Sequence, residues 1–124
     1  MPARLLLGLT APPASAVLEK SDPDAGWIAG WYKAKPYRDY EGDVIPSREE
    51  QCVRVERKRS TGTWTTDYVS PKEVCYQGVT HRWNIVNDAA VSDTYAIRLF
   101  VTRGHRAGTG FVGLCNTKAQ CLAM

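Results

Sequence analysis

Apolar residues along this chain recur mostly at every second position, the spacing that puts alternate side chains on one face of a β-strand. From Trp27 to Ala34 the alternation sets Trp27, Ala29, Trp31 and Lys33 against Ile28, Gly30, Tyr32 and Ala34. Glu50 to Lys58 carries Val53 and Val55 on one face and Cys52, Arg54 and Glu56 on the other. Thr63 to Val69 alternates Trp64, Thr66 and Tyr68 with Thr63, Thr65 and Asp67. With the turn formers Ser60-Thr61-Gly62 between them, these two runs predict a hairpin that Ser70-Pro71 ends. A short run from Glu73 to Gln77 carries Cys75. The cleanest alternation is Tyr95 to Thr102, with Tyr95, Ile97, Leu99 and Val101 inward and Ala96, Arg98, Phe100 and Thr102 outward. Gly104 and Gly108 mark a turn before a last strand from Thr109 to Cys115, and Asn116 to Gln120 reads as a loop.

One segment fits two periods. Trp83, Val86, Ala90 and Val91 form the stripe of an amphipathic helix, while Trp83 and Ile85 also fit a strand; length and the Ala89-Ala90 pair favour a short helix over His81–Ser92. Two other segments read as irregular. Residues 17–26 are polar, with Asp22-Pro23-Asp24 and Gly26 as turn formers, and predict a loose N-terminal arm. Pro36 to Asp43 reads as a loop ending near Pro46, with Asp39, Glu41 and Asp43 as solvated acids. Strands, one helix and two more strands is the order of a small Greek-key barrel of the oligonucleotide/oligosaccharide-binding kind. The expected fold is mostly β with one short helix, as a single domain over residues 27–124.

The chain start changes the picture of where this domain works. Arg4, the apolar run Leu5, Leu6, Leu7 and Leu9, and the small-residue pattern Ala14-Ser15-Ala16 predict a signal peptide over residues 1–16 and a secreted product. No other stretch approaches the roughly 20 apolar residues of a membrane span. Cys52, Cys75, Cys115 and Cys121 are an even set in a short chain with an export-like start, which favours disulfides. Of the three possible pairings, Cys52–Cys75 and Cys115–Cys121 are local and close within hairpin or loop units. A bridge over the Cys52–Cys75 loop adds roughly 3 kcal/mol in the chain-entropy account. Zinc is not expected: there is no C-x-x-C, and His81 and His105 lack metal-ligand spacing.

The net charge of +3 is too mild to imply nucleic acid. Arg54, Arg57, Lys58 and Arg59 form one basic cluster and Arg98, Arg103 and Arg106 another, read as a solvated face or as a surface for an anionic partner. No catalytic constellation is present: there is no G-x-S-x-G, H-E-x-x-H or P-loop. Glu49 and Glu50 are adjacent and point to opposite faces of a strand. No catalytic residue, cofactor or metal is expected.

Phe111-Val112-Gly113-Leu114 running into Cys115-x5-Cys121 resembles the close of the binding subunits of pertussis-like AB5 toxins, including those of subtilase cytotoxin and typhoid toxin. The internal cysteine pair, and Ile97-Arg98-Leu99-Phe100 ahead of Gly104, resemble that family as well. The likeness runs from about Cys52 onward. Val101 stands where the glycan-binding members place a tyrosine. What the resemblance implies is a homo- or hetero-pentameric ring that binds cell-surface glycans and carries a separate toxic A subunit. Aromatic faces can stack on a sugar while Arg and Thr bind its polar groups, and Trp31, Tyr32, Phe100, Thr102 and Arg103 are the candidates. Trp27, Trp64 and Trp83 are expected in the core. The competing expectation is a secreted protease inhibitor or effector that presents Asn116–Gln120 or Tyr37–Asp43 as a wedge. Single-strand nucleic-acid binding is a weaker third, against which export argues.

Overall fold

Strand pairing across the chain settles which alternating faces turn inward. The computed structural model describes residues 17–34, 36 and 38–124; the segment read as a signal peptide lies outside the described residues, as do Lys35 and Tyr37. In chain order the strands are β1 (Leu18–Asp22), β2 (Gly26–Lys33), β3 (Asp39–Pro46), β4 (Cys52–Lys58), β5 (Trp64–Thr65), β6 (Val69–Ser70), β7 (Val74–Cys75), β8 (His81–Ile85), β9 (Ala96–Arg103) and β10 (Val112–Cys115). Helix α1 (Asp88–Ser92) precedes β9, and α2 (Lys118–Leu122) follows β10. One antiparallel sheet has the order β1-β2-β3-β8-β6; the other runs β10-β9-β4-β5, with β7 also paired to β4. Their inner faces share one core. Ile28, Tyr40, Val44, Trp83 and Ile85 come from the first sheet, and Val53, Val55, Ile97, Leu99, Val101 and Leu114 from the second.

The largest of these side chains, Trp83, lies across its own sheet. Gly42 sits opposite Trp83 on β3, and Gly30 sits opposite Gly42 on β2. The indole Nε1 donates to the Ala29 carbonyl, 3.1 Å away on β2. A Cβ on Gly30 would come within 2.9 Å of the Trp83 ring and 2.7 Å of Leu114 Cδ2, and one on Gly42 within 1.8 Å of the Ala29 oxygen. Two bare backbones therefore make the groove in which the indole lies. Arg57 is 3% exposed and, among the described residues, pairs with no carboxylate. Its guanidinium donates instead to the carbonyls of Asp67 (2.9 Å), Asp93 (3.3 Å) and Ala90 (3.4 Å), tying β4 to the end of α1. Burial pushes its pKa below the usual arginine range, against the opposing charge of Asp93.

The mostly β fold and both expected disulfides are present. Cys52 and Cys75 face each other across β4 and β7, and Cys115–Cys121 ties β10 to α2. Such bridges fit an extracellular protein, and among the described residues no helix is long and apolar enough to cross a membrane. Six expectations are corrected. The sheets do not close into a barrel: β1 and β10, which lie at the edges of the two sheets, form no hydrogen-bonded ladder with each other, and β5 and β6 are two residues each. Of the expected hairpin, only Trp64 and Thr65 pair with β4; Val69 and Ser70 cross to β8. The N-terminal arm is strand β1, because Leu18 to Asp22 pair with β2 in continuous register. The loop before Pro46 is strand β3, whose Tyr40, Gly42, Val44 and Pro46 are buried. The segment His81–Ser92 is a strand and then a helix, divided at Asn87, whose side chain caps α1 by accepting from Ala90 N. The tail loop is likewise partly helical, with Thr117 capping α2, and Met124 is buried with its carbonyl accepting from Tyr32 N at 3.1 Å.

Gly42→Ala is expected to cost about 3 kcal/mol or more, since the added methyl meets backbone and cannot be relieved by a rotamer change. Trp83→Phe is expected to cost about 2 kcal/mol, through a lost buried hydrogen bond and ring volume. Urea unfolding of the two variants measures both.

Candidate functional site

The outer face of the second sheet gathers side chains from strands distant in sequence. Antiparallel pairing sets Arg54 opposite Phe100 and Glu56 opposite Arg98. Glu56 is buried, and such a carboxylate persists only when paired. Its Oε1 accepts from Arg98 Nε at 2.6 Å, and its Oε2 accepts from Arg54 Nε. Two guanidinium groups share one carboxylate, leaving an excess positive charge on this patch. Arg98 Cζ lies 4.1 Å from the centroid of the Trp64 ring, 5.2 Å from Phe100 and 5.4 Å from Phe111; Arg54 Cζ lies 5.0 Å from Phe100. These are cation–π distances. Among the described residues the terminal nitrogens of Arg54 and Arg98 take no hydrogen bond, because only Nε of each is engaged. Phe111 is 56% exposed at the border of this patch.

Further along β9, Thr102 Oγ1 donates to Glu73 Oε2 at 2.5 Å and Arg103 donates to both oxygens of Glu73, at 2.6 and 3.3 Å. These bonds from Arg103 and Thr102 hold the Glu73 carboxyl below the usual carboxylate range. Arg103 remains largely exposed.

Of the five candidates read from sequence, Phe100, Thr102 and Arg103 thus adjoin one another, and Trp31 and Tyr32 do not join them. Tyr32 packs on the core beside Tyr40, with ring centroids 5.3 Å apart. Trp31 stands on the outer face of the first sheet, where its Nε1 donates to Glu41 Oε2 at 3.0 Å and the Arg82 guanidinium lies 5.0 Å from its ring. Arg54, Glu56, Trp64, Arg98 and Phe111 complete the patch and were not among those candidates. Trp64, expected in the core, is half-buried on this outer face, as Trp27 is on the other sheet; Trp83 alone of the three is fully buried. The basic clusters divide too: Arg54 and Arg98 meet, whereas Arg57 is buried and Arg59 pairs with Asp93. The signal that could have found the patch was the register of β4 against β9.

Around Trp31 the alternating acids form a stripe on β3. Lys33 Nζ lies 3.1 Å from Glu41 and 3.9 Å from Asp39, and Arg82 reaches Glu41 at 3.3 Å and Asp43 at 3.1 Å. Burial, and then the hydrogen bond and charge of Glu41, push Asp39 up to about 6. Burial also raises Glu41, but hydrogen bonds from Lys33, Asp39 and Trp31 outweigh it and hold that carboxyl below its ordinary value. Neither segment expected to act as a wedge is a free loop: residues 39–43 lie in the middle strand of a sheet, and 118–120 lie in α2.

No protein-family model matches this chain, and no curated protein or solved structure matches it. The resemblance to pertussis-like binding subunits therefore rests on the residues that carry it.

The raised Asp39 sets a pH dependence. Its protonated form favours the folded chain, a contribution fully present below the unfolded value of 3.8 and lost as pH rises through about 6. Asp39→Asn, permanently neutral and still able to donate to Glu41, is expected to match the parent in melting temperature near pH 4 and to exceed it near pH 8. Equal differences at the two pH values would contradict the assignment.

Proposed function

We propose that this chain is a secreted, non-catalytic binding domain that takes an acidic glycan on the outer face of its second sheet. One observation carries the reading: two guanidinium groups, both anchored through Nε on buried Glu56, lie 5.0 and 5.2 Å from the centroid of the Phe100 ring. A pyranose can lay its C–H face on the ring, and a guanidinium fork can bind a carboxylate through two parallel hydrogen bonds. Because Glu56 already fixes both arginines, little side-chain freedom remains to be lost on binding. The excess positive charge suits an acid. An open sheet face of this kind supports weak single contacts, and weak contacts gain from repetition on linked copies. The pentameric ring and the separate toxic subunit are what the C-terminal resemblance adds to this reading. Inhibition by a protruding loop has less support, since the two segments suited to it are largely a strand and a helix.

Calorimetry with a sialylated trisaccharide, with lactose and with a single-stranded oligonucleotide tests the proposal, alongside the mass of the protein in solution. The acidic sugar is expected to bind at least about tenfold more tightly than lactose, a difference of about 1.4 kcal/mol. Phe100→Ala should remove most of that binding while leaving the melting temperature near the parent's; Arg54→Ala should remove it as well and also lower the melting temperature, because the Oε2 of buried Glu56 then loses its partner. Failure to bind acidic or neutral sugars, on calorimetry and on a glycan array, would overturn the reading; a preference for the oligonucleotide would replace it.

A further inference from the structure

The turn between β1 and β2 and the end of β3 border a cleft of about 530 Å³, whose walls include Trp27, Tyr76, Ile45 and Pro46. Trp27 is held in place by its Nε1, which donates to Glu19 Oε1 at 3.0 Å. Tyr76 is tethered through its backbone N to the Gln51 carbonyl at 3.0 Å, next to the Cys52–Cys75 bridge. Ser21, Asp22 and Ser47 add polar groups to the same lining. Asp22 Oδ1 already accepts from the backbone N–H groups of Asp24 and Ala25, at 2.7 and 3.1 Å, so its second oxygen is the one left to accept from a ligand hydroxyl. Aromatic rings beside the Ser21 hydroxyl and a carboxylate suit a sugar with no acid group, because Asp22 repels a second carboxylate; the Ser47 hydroxyl is already bonded to the Asp24 carbonyl and to Gln51 Nε2.

This cleft is not isolated from the arginine–aromatic patch. Tyr76 also lines a neighbouring hollow of about 230 Å³ together with Arg103. Arg103 and Thr102 grip the same Glu73, and Thr102 follows Phe100 by two residues on β9. Residues i and i+2 of a strand share a face. We infer that the Trp27–Tyr76 cleft is a second sugar station, and that the ligand is an extended oligosaccharide. It runs from an acidic unit at Phe100, past Arg103 and Tyr76, to a neutral unit at Trp27. This deepens the glycan reading above and rests on it.

The test is a length series of oligosaccharides, each with one terminal acidic sugar followed by neutral units, titrated into the parent, Trp27→Ala, Tyr76→Ala and Phe100→Ala. Affinity in the parent should rise about tenfold or more once the ligand is long enough to reach Trp27. Trp27→Ala and Tyr76→Ala should abolish that gain and leave the affinity for the shortest acidic ligand unchanged, whereas Phe100→Ala weakens every length. The Trp27 indole N–H resonance of the unaltered protein should shift with long ligands only, a readout that needs no substitution. If short acidic ligands bind, but affinity is flat with length and that resonance stays still, the second station is wrong and the first stands. If no ligand of any length binds, both fall.

Discussion

The structure turns on one indole laid across two glycines. Trp83 can reach the Ala29 carbonyl only because Gly42 and Gly30 present bare backbone beneath it. That contact fixes β8, β3 and β2 in one register, and in a strand a slip of one residue would exchange the buried and exposed faces. The second sheet meets the first at the same place. Leu114 from β10 and Met124 beyond α2 both approach Gly30, so the tail held by Cys115–Cys121 closes over the groove that the glycines make. The small C-terminal loop is thereby anchored in the core through Cys115, Cys121 and Met124.

With the inner faces committed to apolar packing, the outer faces are free to differ, and they do. The first sheet shows an acidic stripe laced by Lys33 and Arg82 beside Trp31. The second shows arginines among Trp64, Phe100 and Phe111, with their shared counter-charge buried beneath them. The difference is one of sign and of spare hydrogen-bonding groups. On the acidic face two cations serve three carboxylates; on the other, two cations share one carboxylate and keep donors to spare. A patch that is fixed, positively charged and incompletely hydrogen-bonded is suited to a ligand that completes it.

The proposed oligosaccharide track depends on the crossing of the chain near Cys75. The bridge to Cys52 holds β7 against β4, and the residue that follows, Tyr76, stands between Arg103 on one sheet and Trp27 on the other. A short strand with two paired residues thus places an aromatic ring at the seam of the two sheets. Hydrophobic packing alone would not specify that position; the disulfide and the Tyr76 N–H to Gln51 carbonyl bond do.

Local patterns in the sequence determined the strand character of β2, β4, β9 and β10, the burial of Ile97, Leu99 and Val101, and the pairing of cysteines close enough along the chain to meet within one unit. They also placed Phe100 and Thr102 together, because a period of two is a property of a single strand. They hid β3, whose acids, glycine and flanking prolines look like a loop until Tyr40 and Val44 are seen to face Trp83's sheet interior. Tertiary structure alone decided that Arg98 and Glu56, 42 residues apart, share a hydrogen bond, that Trp31 and Tyr32 stand away from Phe100, and that two sheets pack without closing into a barrel. Those outcomes follow from register between strands distant in the chain, which depends on the fit of whole faces and leaves no mark on the residues within any one of them.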